Sequence, residues 1–349
     1  MIPRKLAILA FCGIVQVIML NGSYAEERLY IDGSGGAVQA AYEGVFFKAF
    51  EKETGIKIIY TATPNSTRWP KAEQMVKIGN VEWDIIEAEN SWVILGGDKG
   101  LFEPIDYPFV GTKDLEPSGL HKYGMAKGFF SMVLSYNTKA YPKGKPHPSS
   151  WKDFWDVKQF PGPRALRNGP GDNLEFALLA DGVPMDKLYP LDVDRAFKSM
   201  DRIKPHITVW WDSGAQPAQL LANGEVIMAN AWNGRIFPLI QQGAPVDMEW
   251  NQGSINYTYW SILKGSKNKM NAMKFLKYFN DDPKRQARYC ELVTYPGLNK
   301  KMYDFIDPKM APYVNMFPQN ARKQYVCDVA WWAANLEKVT ERWSAWMLK

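Results

Sequence analysis

Trp232 and Arg235 stand three residues apart in the segment Ala231-Trp-Asn-Gly-Arg235. An indole offers a flat face for stacking, and a guanidinium offers a planar fork that fits a carboxylate or phosphate. Together they suggest binding chemistry rather than bond making. Other segments supply groups of the same kind. Glu89 and Ser91 follow an expected buried strand at residues 83–87, and Asp212 follows another strand at 208–211. The loop Gly33-Ser34-Gly35-Gly36 precedes an apolar helical pattern. Exposed N–H groups at a helix start favour an anion, although a turn that needs small residues reads the same way. Tyr257 and Tyr259, two apart, share one face of a strand, as cleft residues or as a structural pair. Each of these groups has an ordinary role to set beside the functional one. Arg235 would be a surface residue or a partner of Asp247, Trp232 a core residue, Asp212 a helix cap, and Glu89 a solvated charge.

Catalytic signatures are missing. No Gly-x-Ser-x-Gly elbow or His-Glu-x-x-His occurs, and no His stands near a plausible nucleophile. The three His (His121, His147, His206) are widely spaced, and Cys-x-x-Cys and His-x-x-x-His are absent. The reading is therefore of no metal site, no cofactor and no enzyme.

The elements that must position these groups alternate strand and helix. Residues 226–231 form a short apolar run, as in a buried strand. Asn233 is placed to cap a helix, Gly243 to follow its end, and a second strand occupies 246–250. A turn between strand and helix lies at the carboxyl end of the sheet, where open α/β sheets bind ligands. The chain opens βαβ. A strand at 29–31 leads to Val38, Ala41, Tyr42, Val45, Phe46, Ala49 and Phe50 at helical spacing, then to Gly55 and a strand at 56–60. Further strands are expected at 83–87, 129–136, 164–167, 208–211 and 261–263. Helices are expected at 70–78, 174–179, 195–204, 271–279, 284–291 and 329–346. The polar, Pro- and Lys-rich stretch 141–150 reads as the exit from a crossover into a second lobe.

Composition is that of an ordinary globular chain. Its 349 residues are 46% hydrophobic and 23% charged, enough for two lobes. The start is different: Arg4 and Lys5, an apolar run at 6–20, and Ser23-Tyr24-Ala25 together read as a secretory signal peptide cut near Ala25. Cys12 follows Phe11, where a lipobox needs a small residue, so lipidation is not expected. Removal of Arg4 and Lys5 lowers the formal charge from +5 to +3, too small an excess to indicate nucleic acid. Cys290 and Cys327 remain, and an even pair in an exported chain suggests a disulfide, with two free buried thiols as the alternative.

Several short segments occur in an order and spacing that resemble the spermidine/putrescine-binding type of periplasmic solute-binding protein, extracellular family 1, of ABC importers. They are Phe50-Glu-Lys-Glu-Thr-Gly-Ile-Lys57, Gly100-Leu-Phe-Glu-Pro104, Leu134-Ser-Tyr-Asn137, Ser150-Trp-Lys-Asp-Phe154, Gly224-Glu-Val226, Trp232-Asn-Gly234 and Tyr295-Pro-Gly-Leu-Asn299. The resemblance implies an α/β, two-lobed type II fold with the ligand in a cleft between lobes joined by hinge strands. The first lobe would be 26–137 with 260–303, and the second 138–259 with 304–349. It implies a monomer that closes on a small solute and presents it to an ABC permease in the inner membrane. Carried over residue by residue, Trp232 stacks on the ligand, Tyr295 lines the pocket, and Ser34, Gly35 and Gly36 form the first-strand loop. The family's key carboxylate, which pairs with a polyamine ammonium, falls at Tyr259. With that acid lost, Arg235 in the Trp-Asn-Gly motif, and Arg164 and Arg167 near another pocket loop, a polycation is disfavoured. The expectation is a solute with at least one anionic group: a γ-amino acid, an amino-acid derivative or an opine-like conjugate. Glu89 or Asp212 would take its amine. Polyamine binding is the alternative, and a ferric-ion protein or a secreted enzyme is a remoter one.

Overall fold

The computed structural model describes residues 26–142 and 144–349. The expected signal peptide at 1–25, with Cys12, lies outside the described residues.

Among the described residues, ten strands form one sheet: β1 (Arg28–Asp32), β2 (Lys57–Thr61), β3 (Ile85–Glu89), β4 (Leu120–His121), β5 (Gly124–Asn137), β6 (Arg164–Arg167), β7 (Ile207–Trp211), β8 (Met228–Trp232), β9 (Val246–Ile262) and β10 (Tyr325–Val326). Their order is β2-β1-β3-β9-β5-β8-β6-β7, with β10 beside β9 and β4 beside β5. The outer pairs β1–β2, β1–β3, β6–β7 and β6–β8 are parallel, as crossover helices require. The opening βαβ unit matches its sequence pattern. Its helix runs Ala37–Tyr42, passes through a π-helical turn Glu43–Phe47, continues Lys48–Thr54, and buries Val38, Ala41, Tyr42, Val45, Phe46, Phe47 and Phe50. Gly55 ends it with φ 74°, a conformation that costs glycine little.

Two strands are longer than the hydrophobic pattern suggests. β5 spans 14 residues and β9 spans 17, and they pair antiparallel through the middle of the sheet. Residues 246–250 and 261–263, expected as separate strands, belong to one. The polar residues of segment 251–256 break the apolar alternation, and residues 254–256 resume pairing with β5 after an irregular stretch at 250–253. The register slips there: Met132 faces Ser254 while Leu134 faces Glu249. Gln252, at φ 61°, sits in that irregularity, and its carbonyl accepts the Trp151 indole N–H at 2.9 Å.

These two strands run through both hydrophobic cores. The first core gathers Leu29, Ile31, Phe46, Phe50, Ile85, Met125, Phe129, Trp260, Phe275 and Leu298. The second gathers Met132, Leu134, Trp151, Phe176, Trp211, Met248, Trp250, Trp332 and Trp343. The change from one to the other falls between Phe129 and Met132 on β5, and between Trp250 and Ile255 on β9. The terminal helix Val329–Met347, expected over 329–346, buries Trp332, Val339, Trp343 and Trp346 in the second core.

The expected Cys290–Cys327 disulfide is absent. Both thiols are free and buried. Cys290 packs in a small separate cluster with Ala287, Met302, Ile306 and Val314, whereas Cys327 belongs to the second core near the Tyr189 hydroxyl. An even count measures opportunity only, and here each thiol is a small apolar filler in its own cluster.

Candidate functional site

β8 delivers Trp232 at its last residue, and the helix Asn233–Gln241 starts immediately after it. Trp232 itself occupies the capping position, and Asn233, expected as the cap, is the first helical residue. The Asn233 side chain does other work. Its Oδ1 accepts the Ser131 N–H at 2.9 Å, and its Nδ2 donates to the Thr294 carbonyl at 3.3 Å. One amide thus fixes the start of this helix to β5 and to the loop that carries Tyr295. Gly234 is required here, because a Cβ would overlap the Tyr295 ring.

Two adjoining cavities open at this point. The first holds about 610 Å³ of empty space, its mouth included, and is lined by Ser34, Glu87, Glu89, Lys127, Phe130, Trp232, Arg235, Thr258 and Tyr295, with Tyr42 and Tyr289 behind. The second holds about 870 Å³ on the same basis, and is lined by Glu89, Asn90, Ser91, Arg167, Asp172, Trp232, Asn256 and Tyr257. Trp332 and Leu336 of the terminal helix close its far side. Glu89, Phe130 and Trp232 line both.

Aromatic rings form the walls. Phe130 meets Trp232 edge to face at 6.3 Å and Tyr295 at 6.2 Å. The Arg167 guanidinium lies 5.5 Å from the centre of the Trp232 ring. Neither Arg167 nor Arg235 has a described carboxylate within ion-pair distance. The buried Nε of Arg235 and Nε1 of Trp232 have no hydrogen-bond partner. A buried donor left unpaired costs free energy, so both atoms await an acceptor.

The floor of the first cavity is an internal ion pair. Glu87 Oε2 is 2.7 Å from Lys127 Nζ and accepts the Ser34 N–H at 2.8 Å, while Oε1 accepts the Ser34 hydroxyl at 2.8 Å. Lys127 also donates to the Tyr42 hydroxyl at 2.9 Å and lies over the Tyr42 and Trp260 rings. Burial alone would raise the Glu87 carboxyl; Lys127, Arg68 and the Ser34 hydroxyl outweigh it and bring the pKa down to about 2. Burial lowers the Lys127 pKa, opposed by Glu87. The Tyr295 phenol is raised to about 12 by burial, against the pull of Arg235.

The floor of the second cavity is different. Burial raises the Asp172 carboxyl, opposed by Ser254, Arg167 and Asn256. Behind it, Glu175 accepts from the Tyr189 hydroxyl at 2.6 Å and from the Trp332 indole at 2.7 Å, and its other oxygen has no partner. Burial, with Asp172 close by, raises Glu175 to about 7.

Of the residues singled out from sequence, Ser34, Glu89, Trp232, Arg235 and Tyr295 meet in the first cavity, and Ser91, Arg167 and Tyr257 join at the second. Gly35, Gly36, Asp212 and Tyr259 line neither. Gly36 is the backbone turn into the first helix, at φ 69°. Asp212 is exposed, and its N–H donates to Gln216. Tyr259 is buried in the first core, between Ala88 and Ala126 on the flanking strands and beside the His121 ring. Strand alternation instead presents Thr258 to the cavity, opposite Glu89 in the β3–β9 register. The acid expected near here is missing all the same, since residues 254–262 contain no carboxylate. Lys127, Glu87, Phe130, Thr258, Asp172 and Asn256 escaped the sequence reading. For two of them the signal was present, as charged residues inside the apolar runs Ile85-Ile-Glu87-Ala and Met125-Ala-Lys127-Gly-Phe-Phe130.

Comparison with known proteins agrees with this architecture. Residues 46–318 match the family model of the bacterial extracellular solute-binding proteins. A gamma-aminobutyric acid-binding protein of Pseudomonas aeruginosa is 35% identical over 326 residues, covering 92% of this chain and 91% of the relative. The spermidine/putrescine-binding periplasmic protein of Escherichia coli K12 is 26% identical over 285 residues, 77% of this chain and 78% of the relative. The crystal structure of an ABC transporter substrate-binding protein from Bradyrhizobium japonicum USDA 110 superposes with a TM-score of 0.87 at 42% identity, covering 92% of this chain and 99% of that one. The chain belongs to the bacterial extracellular solute-binding family, has its two-lobed α/β fold, and is a binding protein rather than an enzyme. No helix among the described residues is long and apolar enough to cross a membrane.

Proposed function

We propose that this protein captures a small solute bearing both a carboxylate and an amine, a γ-amino acid or a derivative of one, and delivers it to an ABC permease in the inner membrane. The observation that carries the reading is Arg235: a guanidinium inside an aromatic cavity, with a buried donor unpaired and no described carboxylate in ion-pair range. Such a fork suits a carboxylate held bidentately in a partly dry site. Glu89, at the junction of the cavities, is the acceptor for the amine, and Trp232, Phe130 and Tyr295 pack on the methylenes between. The gamma-aminobutyric acid-binding relative supports the same class of ligand. A polyamine would bring further ammonium groups toward Arg235 and Arg167, which repel them.

The lobes on this reading are 26–137 with 260–303, and 138–259 with 304–349. The hinge lies where β5 and β9 change cores, at 129–132 and 250–255, a few residues before those bounds, and closure is a hinge motion about those strands. Export with cleavage near Ala25, a periplasmic location and a monomeric state complete the reading, and no nucleic-acid partner is implied.

A thermal-shift screen tests it. A ligand that binds only the folded state at a hundred times its Kd adds about 2.7 kcal/mol of apparent stability. γ-Aminobutyrate and related amino acids should raise Tm, with putrescine and spermidine giving little. A large shift with spermidine and none with the amino acids would reject the assignment.

A further inference from the structure

Two amides that line neither cavity lie directly behind the site. Asn230 on β8 and Asn173, the first residue of the helix Asn173–Ala180, are both fully buried. Asn230 Oδ1 accepts the Arg167 backbone N–H and the Trp211 indole N–H, each at 2.9 Å, and its Nδ2 donates to Asn173 Oδ1 at 3.0 Å. Asn173 Nδ2 donates to the Arg167 carbonyl at 2.7 Å and to the Gly169 carbonyl at 2.8 Å. We propose that Asn230 and Asn173 are positioning residues for solute binding: the pair clamps the loop 167–172 to β8 and so sets the Trp232 ring against the Arg167 side of the second cavity.

The strand pairing shows why a clamp is needed there. β6 and β8 pair in parallel at Arg164–Met228 and Ala165–Ala229, and their pairing stops at that point. β6 continues beside β7 until Arg167 stands opposite Trp211. The ends of β6 and β8 therefore part just before they deliver Arg167 and Trp232. Parting leaves a buried backbone N–H to satisfy. The Asn230 amide fills the gap, since its oxygen accepts two donors while its nitrogen donates, which no hydroxyl or methyl side chain can do in one place. What the clamp holds is the wall of the site. The Arg167 guanidinium lies 5.5 Å from the centre of the Trp232 ring, and Trp211, anchored by Asn230, meets that ring edge to face at 5.6 Å. Gly214 closes on the ring from the neighbouring loop, where a Cβ would overlap it. The loop's other end is tied to β9, because the Asp172 carboxyl accepts the Asn256 amide at 3.2 Å. A ring bounded on so many sides has its place fixed by its supports, and a binding surface works only while its groups hold their geometry.

The inference takes one point from the proposed function, that the solute packs on Trp232, and the test separates the two. The full mature chain labelled with 5-fluorotryptophan gives a fluorine resonance for Trp232, assigned by its loss in Trp232→Phe. Calorimetry supplies the affinity for γ-aminobutyrate at a temperature where each variant is folded. In Asn173→Ala and Asn230→Ala the Trp232 resonance should shift in the solute-free protein, and the affinity should fall at least about tenfold. Asn320→Ala is the control. It removes another buried amide, bonded to the Ala311 and Val314 carbonyls and lining neither cavity, and should lower Tm while sparing both readouts. If the alanine variants fail to fold, Asn173→Asp keeps the volume, suits a helix start, and removes only the two donors. It should give the same shift and the same loss. An unmoved resonance, or an affinity within about twofold of the parent, would overturn the inference and leave the proposed function standing. Equal losses in Asn320→Ala would also overturn it, as the mark of general loosening. If the parent does not bind γ-aminobutyrate, the proposed function fails and the resonance alone decides the inference.

Discussion

Glu87 and Glu175 are buried glutamates behind adjoining cavities, and their carboxyls lie at opposite ends of the accessible range, about 2 and about 7. Burial acts on both in the same direction. Glu87 has Lys127 at 2.7 Å and two hydrogen bonds from Ser34, so its charge is compensated in place. Glu175 has the neutral donors of Tyr189 and Trp332 and no described cation within ion-pair distance, with Asp172 nearby and one oxygen unpaired. Desolvation sets the penalty, and the presence of a cation decides whether a carboxylate keeps its charge. The first cavity therefore has a fixed, electrically neutral floor. The second has a floor whose charge depends on pH.

The largest effect should come from removing the compensation. Lys127→Met leaves Glu87 buried without its cation and should cost about 3–5 kcal/mol in a urea melt, while Glu87→Gln/Lys127→Met should recover most of it. A single variant as stable as the parent would show that the pair contributes nothing. Glu175 should give the opposite sign. Its folded pKa lies above the ordinary value, so its folded form holds a proton more tightly. Stability is greatest below about pH 4.5 on this account and declines as pH rises toward about 7. Glu175→Gln should remove the decline, adding up to about 3 kcal/mol at pH 8 and little at pH 5. Parallel stability curves for parent and variant would contradict the assignment. A smaller effect is expected at the cavity wall. Thr258→Asp places an acid opposite Glu89 and should strengthen putrescine binding by about 1–2 kcal/mol in calorimetry. No gain there would show that Thr258 does not reach the ligand. The smallest effect expected is zero: dithiothreitol should leave Tm unchanged, because Cys290 and Cys327 are already free.

Much of this was legible in the sequence, for physical reasons. The βαβ opening and the terminal helix have strong 3.6-residue periodicity, and Trp232 and Arg235 sit at a strand-to-helix turn, where side chains reach a cleft. What escaped detection depends on long-range pairing. β9 keeps β5 as its partner on both sides of the irregular polar stretch at 250–253, which hydrophobicity does not record. The facing of Thr258 rather than Tyr259 is a matter of register, and one residue decides it. The second cavity joins Arg167, Asp172 and Asn256 to Trp332 and Leu336 of the terminal helix, groups from distant segments with no shared local motif. Lys127 and Glu87 were visible as charges in apolar strands, but only the fold brings them together.

The central claim is that Arg235 holds the carboxylate of the solute. Titration of γ-aminobutyrate into the parent protein and into Arg235→Ala tests it most directly, with a thermal melt to confirm that the variant is folded. The account predicts a loss of about 2–5 kcal/mol in binding free energy, as expected when one partner of a buried charge pair is removed. An unchanged Kd would contradict it and return Arg235 to a structural role.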